Sequence, residues 1–460
     1  MAAVVFGCRT ADTNRPPDTG SSFIWDPFLD TLQTRTIRFF LDATNPKIGL
    51  TPDRYPSPSP SSIAAVGFAL TSYPIAAEHG IISRAAAAER TLTTLRTLIF
   101  LPQGEQRSGT GGQRGLYYHF VDVATGVRVW DCELSTIDTG LLMAGILFSQ
   151  SYFGRSDSRE DSIRAFADSL YLRVDWRWAM DDAPGILLGW TPEHGFIRST
   201  WHGYDEAMIL YLLALGSPTH PVPATAWEHY TSTYKWAMYL GDEFVSFGPL
   251  FGHQYSHCWI DYRGIQDAYM RAKGIDYFEN SRRATRTHRT YAQQNPRGWR
   301  DYSGEIWGFS ACDGPGYKVV EIGGVKKTFL AYGARGVSFD WVSDDGTITP
   351  TAAGGSVAFA PDICVTALKV MRTKYGERLW REYGFADSFN PTFPNPETGE
   401  TGWFDRDYLG IDQGPIVIMI ENLRNGFVWE VMKKNQYIVR GLQRAGFTGG
   451  WLPQAGNDTK

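Results

Sequence analysis

The sequence predicts a helix-dominated fold, an (α/α)6 barrel in which a double ring of helices carries short β-hairpins and long rim loops. Three observations lead to this fold class. Helical patterns follow one another in pairs, with only short breaks between them. The regularly spaced strands that a parallel α/β barrel requires are not recognisable. Two segments, Ile137–Phe148 and Tyr204–Leu215, are apolar on nearly all sides, as expected for inner helices.

Each predicted element follows from its periodicity and from the residues at its ends. Ala85–Ala88 are strong helix formers, and Ser135 and Asp138 have the spacing of an N-cap and its third residue. Gly323-Gly324 predicts a turn between strands within Lys318–Thr349. In chain order, the predicted helices are Trp25–Asp42, Ser62–His79, Ser83–Leu101, Ser135–Phe153, Asp157–Met180, Tyr204–Leu215, Ala224–Leu240, Cys258–Asn280, Arg282–Gln294, Pro361–Tyr375, Glu377–Tyr383, Gly414–Leu423 and Gly426–Arg444.

We expect residues 1–22 to be a leader and linker. Residues 23–460 are expected to form a single domain. Val5-Phe6-Gly7-Cys8 ends a short apolar start and precedes a polar stretch, which resembles the tail of a bacterial lipoprotein signal. Phe6 and the lack of a basic leader are atypical of such signals, so a truncated start is the alternative. We expect a periplasmic or extracellular location, with Cys8 as a candidate lipid anchor.

Composition excludes several classes of function. The net charge is −5 without a basic block, which argues against a nucleic-acid partner. No run of 18 apolar residues is present, so we expect no transmembrane helix. The nine His residues form no HExxH or HxH motif and the five Cys no CxxC, so we expect no metal and no cofactor. The 14% of aromatic residues, beside many carboxylates, would suit a carbohydrate cleft.

Four stretches place acids and aromatic residues together at the ends of elements: Trp130–Asp138, Trp201–Met208, Ser303–Tyr317 and Gly402–Pro415. Helix capping is an alternative explanation for Asp138, Asp205 and Asp412. If Asp205 is the cap, Glu206 points from the helix start into the space that the helix faces. Aromatic neighbours would then desolvate the Glu206 carboxyl group and raise its pKa towards that of a general acid. Paired carboxylates without a metal or nucleotide motif indicate glycoside hydrolysis.

The same stretches resemble a known family, the bacterial glycoamylase-like proteins, which include the endo-β-1,2-glucanases of glycoside hydrolase family 144. The likeness extends from about Phe23 to Phe447. The segments that carry it are Tyr118–Asp122, Thr125-Gly126, Glu133–Thr139, Tyr204–His220, Ser310–Pro315 and Gly410–Pro415.

The resemblance implies an (α/α)6 barrel and an inverting endo-hydrolase that acts on β-1,2-glucan, which we expect to be a monomer. Glu206 matches the family's general acid. Asp412 is the first candidate for the general base. Asp138 and Asp131 are its rivals, with the binding of sugar hydroxyls as their alternative role. The residues expected to bind sugar are Asp131, Glu133, His119, Trp201, Tyr204, Trp307, Asp313, Tyr317 and Tyr408.

Several alternatives stay open at this point. Relatives on this fold include exo-acting enzymes that release disaccharide and enzymes that transfer glucosyl units. A periplasmic glucan-binding protein is the non-enzymatic alternative; it would keep the aromatic rings but tolerate the loss of Glu206. The β-1,2 linkage rests on the resemblance alone, because no residue pattern distinguishes it from other glucan linkages.

Overall fold

The computed structural model describes residues 23–394, 399 and 401–453, and helices dominate this part of the chain. The leader and Cys8, expected within residues 1–22, lie outside the described residues. None of the described helices combines the length and hydropathy needed to cross a bilayer. The helices are α1 (Phe28–Ala43), α2 (Ile63–Glu78), α3 (Arg84–Phe100), α4 (Thr136–Tyr152), α5 (Ser158–Leu172), α6 (Met208–Gly216), α7 (Thr225–Thr231), α8 (Tyr255–Trp259), α9 (Ala268–Lys273), α10 (Tyr277–Gln294), α11 (Pro350–Gly354), α12 (Pro361–Tyr375), α13 (Gly410–Asn425), α14 (Phe427–Met432) and α15 (Gln436–Arg444).

The strands are short and pair antiparallel, mostly two by two. They are β1 (Arg54–Tyr55), β2 (Ser61–Ser62), β3 (Gly112–Gln113), β4 (Leu116–Tyr117), β5 (Phe120–Val121), β6 (Leu134–Ser135), β7 (Gly189–Thr191), β8 (Gly195–Phe196), β9 (Trp236–Tyr239), β10 (Asp242–Val245), β11 (Ala311–Cys312), β12 (Lys318–Ile322), β13 (Val325–Phe329), β14 (Gly333–Ala334), β15 (Gly336–Val337), β16 (Val342–Ser343), β17 (Trp380–Arg381), β18 (Gly384–Phe385), β19 (Phe389–Pro394), β20 (Thr401–Phe404) and β21 (Tyr408–Leu409). The predicted turn at Gly323-Gly324 joins β12 to β13.

The core is built around helices that are buried on nearly every side. In α2, every residue from Ile63 to Ala76 is buried, and α4 and α6 are similar. Helix α2 packs against α4 and α13, and α4 also packs against α6. The remaining long helices cover these from outside: α1 contacts α2 and α13, α3 contacts α2, α5 contacts α4, and α15 contacts α6. Apolar sequence therefore identifies the central helices because they have no face left for water.

Two glycines allow α2 and α4 to approach closely. A Cβ atom on Gly145 would lie 2.1 Å from the carbonyl oxygen of Gly67, and one on Gly67 would lie 2.3 Å from the carbonyl oxygen of Leu141. Both neighbours are backbone atoms, which cannot turn aside as a side chain can. The contact therefore requires a residue without a side chain at these positions.

Gly145→Ala is expected to lower the free energy of unfolding by about 1–3 kcal/mol, since the added methyl group overpacks the interface between α2 and α4. Denaturant unfolding followed by circular dichroism measures the change. Gly154→Ala is the matched control, because no described atom outside its chain neighbours lies within 4 Å of the added Cβ. Equal stability of the two variants would contradict the prediction.

Several predicted helices are wrong over part or all of their length. Asp157–Met180 is α5 followed by a turn and a short 3-10 segment, and the second half of Ala224–Leu240 belongs to the β9–β10 hairpin. Cys258–Asn280 is divided into α8, α9 and the start of α10, because Gly264 and Gly274 adopt positive φ. Glu377–Tyr383 contains a 3-10 turn and β17 instead of a helix. Aromatic residues in these segments follow a helical period but pack on the core from hairpins and turns.

Candidate active site

The residues that resemble a hydrolase site meet at a cavity of about 350 Å³, the central cavity. The N-terminal end of α4 and the segment before α6 provide its acids, and loops from other parts of the chain close it. The cavity is lined by His119, Glu133, Ser135, Ile137, Asp138, Leu141, Leu188, Ile197, Trp201, Glu206, Phe251, Tyr255, Ala311, Tyr332 and Ile411. Acidic groups and aromatic rings therefore face the same space.

Glu206 lines this cavity, whereas its neighbour Asp205 stabilises the turn before α6 and does not cap the helix, whose N-cap is Ala207. Asp205 Oδ1 accepts hydrogen bonds from the Ala207 backbone N–H at 2.9 Å and from the Tyr230 hydroxyl at 3.0 Å. Burial, and then the negative charge of Asp138, raise the pKa of Glu206 to about 7. A large fraction of this carboxyl group is therefore protonated near neutral pH, as a general acid requires.

A histidine joins the other acids of the cavity. His119 Nδ1 lies 2.9 Å from Glu133 Oε1, and His119 Nε2 lies 3.7 Å from Asp138 Oδ2. Burial lowers the pKa of His119, but the charge of Asp138 and the hydrogen bond with Glu133 outweigh it and raise this pKa to about 9. The imidazolium therefore balances two carboxylates at neutral pH and fixes their positions.

Asp138 is also held by the start of its own helix. Its backbone N–H donates to Ser135 Oγ at 3.2 Å, and the Ser135 hydroxyl donates to Asp138 Oδ2. The predicted N-cap at Ser135 is therefore confirmed. Trp201 closes this side, with its indole N–H donating to Thr136 Oγ1 at 3.0 Å. Asp138 can take part in the cap and also line the cavity, because the hydrogen bond from the Ser135 hydroxyl occupies only one of its carboxylate oxygens, Oδ2.

Asp412 lies in a second set of carboxyl groups, the acidic cluster, formed by Asp53, Asp313, Asp387, Asp405 and Asp412. Asp412 stands in the first turn of α13 and is almost fully buried. Burial raises the pKa of Asp412 to about 7, although a hydrogen bond with Asp387 lowers it. Burial and the charge of Asp412 raise the pKa of Asp387 well above its usual range. The two carboxyl groups therefore share a proton near neutral pH.

Two tyrosines of the central cavity lie near Asp412. Tyr255 and Tyr332 line the cavity, and burial, followed by the charge of Asp412, raises the pKa of both hydroxyls. Asp412 itself is not among the residues that line this cavity, whereas Glu206 and Asp138 are.

A larger space of about 530 Å³, the side cavity, adjoins the central one. Phe251 lines both cavities, and the side cavity also contains Tyr204, Asp205 and Trp341. Trp341 is 43% exposed, so its ring is accessible from this space. The two cavities therefore lie next to each other, with Phe251 in the wall of both.

The structure brings five of the predicted site residues together at the central cavity: Glu206, Asp138, Glu133, His119 and Trp201. Asp412 and Asp313 lie in the acidic cluster. Asp131 is exposed with a positive φ of 51°, and Tyr317 is 77% exposed; neither lines a described cavity that contains Glu206.

Three predicted sugar-binding rings are placed differently. Trp307 is fully buried and Tyr408 packs against Phe39 and Tyr383, so neither ring presents a face to the central cavity in this structure. Tyr204 stacks on Tyr277 and only reaches the edge of the side cavity. These rings belong mainly to the core, where the same residue type serves packing.

Several residues of the site carry no recognisable signal in the sequence. Asp387 follows β18 in an ordinary loop, and Tyr255 lies in a segment predicted as loop. Asp53 and Arg54 precede a Pro/Ser-rich break, and Tyr332 lies in the loop region after β13.

A family model matches the region of the chain that contains Glu206. Residues 198–436 match the family model named Glycoamylase, described as "Putative glucoamylase", which covers more than half of the chain. The chain belongs to the Glycoamylase family. This matched region of the Glycoamylase chain contains Glu206 and all of the acidic cluster except Asp53, whereas His119, Glu133 and Asp138 precede it.

Relatives of this Glycoamylase chain include characterised glucanases. It is 26% identical to an exo β-1,2-glucooligosaccharide sophorohydrolase of Parabacteroides distasonis, over 91% of this chain and 58% of that protein, so it spans little more than half of that relative. It is 25% identical to an endo-β-1,2-glucanase of Chitinophaga pinensis, solved with sophorotriose and glucose, with a TM-score of 0.79 over 94% of this chain and 100% of that one. An endo-β-1,2-glucanase of Talaromyces funiculosus shares the fold at 12% identity, with a TM-score of 0.63 over 88% and 85% of the two chains.

Proposed function

We propose that this chain is an endo-acting, inverting β-1,2-glucan hydrolase in which Glu206 is the general acid and Asp412 the general base. The observation that carries the proposal is the position of Glu206, a carboxyl group with a pKa near 7 that faces a cavity lined by acids and aromatic rings. The names of the relatives support the β-1,2 linkage. Asp138, Glu133 and His119 would hold sugar hydroxyls beside the acid.

The helix packing supports an (α/α)6 barrel as the finer description of the fold. Helix α13 contacts α2, α8 and α11; α2 contacts α4; α4 contacts α6; and α6 contacts α8. These six would form the inner ring, with α1, α3, α5, α15, α10 and α12 outside. Glu206, Asp138 and Asp412 all lie at the N-terminal end of an inner helix or just before it. A single catalytic domain over 23–460 and a periplasmic or extracellular location complete the proposal.

Endo action is favoured by the arrangement of the two cavities. A chain of sugars bound at Glu206 can extend past Phe251 into the side cavity instead of ending at the acid. Exo action is the second candidate, because the P. distasonis relative is named as an exo-acting enzyme. The two activities differ in their products and not in their chemistry.

Incubation of the purified chain with linear β-1,2-glucan tests the function, with products followed by chromatography. A ladder of short oligosaccharides supports endo-hydrolysis, whereas disaccharide alone indicates exo action. Longer chains formed from an oligosaccharide donor indicate transfer, and binding without products indicates a glucan-binding protein. Cleavage of a different glucan would disprove the linkage. NMR of the first products should show the α-anomer, because inversion of a β-linkage produces it.

The pH profile provides a separate test of the acid. Glu206 must carry a proton to act, so kcat/KM is expected to fall as the pH rises through about 7, by tenfold for each further unit. Initial rates between pH 5 and 9 measure this, where both limits are about two units from the pKa. Circular dichroism at each pH separates this loss from unfolding. A profile that stays flat above the pKa would contradict the role of Glu206.

A further inference from the structure

We propose that Asp313, Asp387 and Asp405, the carboxylate triad, bind a divalent metal cation, with Ca²⁺ as the best match. One carboxylate oxygen from each residue lies within 4.8 Å of the others. A Ca²⁺ ion with bonds of about 2.3–2.6 Å to oxygen bridges atoms at this spacing. The proposal is independent of the hydrolase function, because it concerns binding alone.

One buried oxygen of the triad is left without a partner. Asp387 Oδ2 accepts the Asp313 backbone N–H at 2.8 Å, and Asp405 Oδ1 accepts the Arg406 N–H at 2.7 Å. The Asp387 carboxyl group also has a hydrogen bond with Asp412. Asp405 Oδ2, in contrast, finds no hydrogen-bond donor among the residues that the structure describes, although Asp405 is more than nine-tenths buried. Buried carboxylate oxygens are normally satisfied, so this oxygen indicates a missing partner.

The backbone holds the triad in place before any ligand binds. The Asp387 N–H donates to the Asp407 carbonyl at 2.9 Å, and the Asp405 N–H donates to the Ser388 carbonyl at 3.0 Å. The Ser388 hydroxyl donates to the Asp313 carbonyl at 2.7 Å. Three separate loops are thus tied together around the carboxylates. Such pre-organisation reduces the conformational cost of binding an ion.

The charge of the carboxylate triad is compatible with a bound cation. Arg54 Nη1 lies 2.6 Å from Asp313 Oδ2 and balances one of the three carboxylates. Without an ion, burial favours the protonated forms, since it raises the pKa of Asp387 well above its usual range and that of Asp405 to about 9. A divalent cation would displace these protons and neutralise the two charges that Arg54 leaves. Protonation is the alternative way to remove this charge, and it would leave no response to Ca²⁺.

The chemistry of the triad favours Ca²⁺ over softer metals. All three ligands are carboxylate oxygens, which hard cations prefer, whereas Zn²⁺ and Cu²⁺ sites use nitrogen or sulfur. The Asp313 side chain is 13% exposed, so water can complete the coordination on that side. The sequence-based expectation of no metal site depended on His and Cys motifs, and a carboxylate site assembled from three loops has no such motif.

Calorimetric titration of the chelator-treated full chain with CaCl₂ tests the proposal, alongside thermal melting. We expect binding with a Kd of about 10⁻⁵–10⁻³ M and a melting temperature that rises by about 2–3 °C at saturating Ca²⁺. Asp405→Asn and Asp387→Asn should both abolish the response, because the amide keeps the backbone hydrogen bond but removes the charge. Asp405→Asn remains informative if Asp387→Asn does not fold.

Asp276→Asn is the matched control. Asp276 also accepts two backbone N–H groups, from Gly264 and Glu279, but lies outside the triad, so its variant should bind Ca²⁺ normally. The absence of heat and of any melting shift up to about 10 mM CaCl₂ would overturn the proposal. An equal response in the wild type and both triad variants would also overturn it, since the ion would then bind elsewhere.

Discussion

Glu206→Gln is expected to lower kcat on β-1,2-glucan by about 10²–10⁴-fold, since the amide cannot protonate the leaving group. The substitution keeps the shape of the side chain and adds no charge to the cavity. Substrate binding should change little, because the neighbouring His119, Asp138 and Glu133 are unaffected. Initial rates from reducing-end release measure kcat, and calorimetry with a β-1,2-linked oligosaccharide measures binding.

Glu228→Gln, on the exposed face of α7, is the matched control and should retain full activity. Circular dichroism should show that both variants are folded. Activity of Glu206→Gln within a few-fold of the wild type would remove Glu206 from the mechanism. Lost binding with a preserved rate at saturation would instead assign it to substrate recognition.

Asp412→Asn is expected to lower kcat by about 10²–10⁴-fold as well, with a smaller effect from Asp138→Asn. Asp412 is the proposed base, and loss of its charge leaves no group to activate water. Asp138 contacts His119 and the central cavity, so its loss should mainly raise KM through weaker binding of sugar hydroxyls. Parallel measurements of kcat and KM for both variants distinguish the two roles.

Asp138 and Asp412 differ in their position relative to the central cavity, so comparing their variants shows which of them is the base. Asp138 lines the central cavity, whereas Asp412 does not and lies near two of its tyrosines, Tyr255 and Tyr332. A larger kcat loss in Asp138→Asn would therefore make Asp138 the base. Tyr332→Phe provides a second measurement: if a proton reaches Asp412 by way of the Tyr332 hydroxyl, loss of this hydroxyl should lower kcat without changing the product pattern.

Local sequence predicted the acids at helix starts because capping and cavity lining both depend on short-range spacing. Ser135 and Asp138 are three residues apart, as an N-cap requires, and Asp205 accepts the Ala207 N–H in the turn before α6, beside Glu206. The aromatic predictions were less successful. Trp307 and Tyr408 have the same composition-based signal as Trp201, yet only Trp201 lines the central cavity, because burial of a ring depends on distant neighbours.

The sequence by itself determined the helical class, the buried helices α4 and α6, and the acids that stand at helix starts. These follow from apolar runs and caps, which act within one or two helical turns. Only the tertiary structure decided that Asp387 meets Asp412, that Asp405 approaches Asp313, and that Phe251 joins two cavities. These residues are far apart in the chain, and the packing of whole elements, which no local pattern encodes, brings them together.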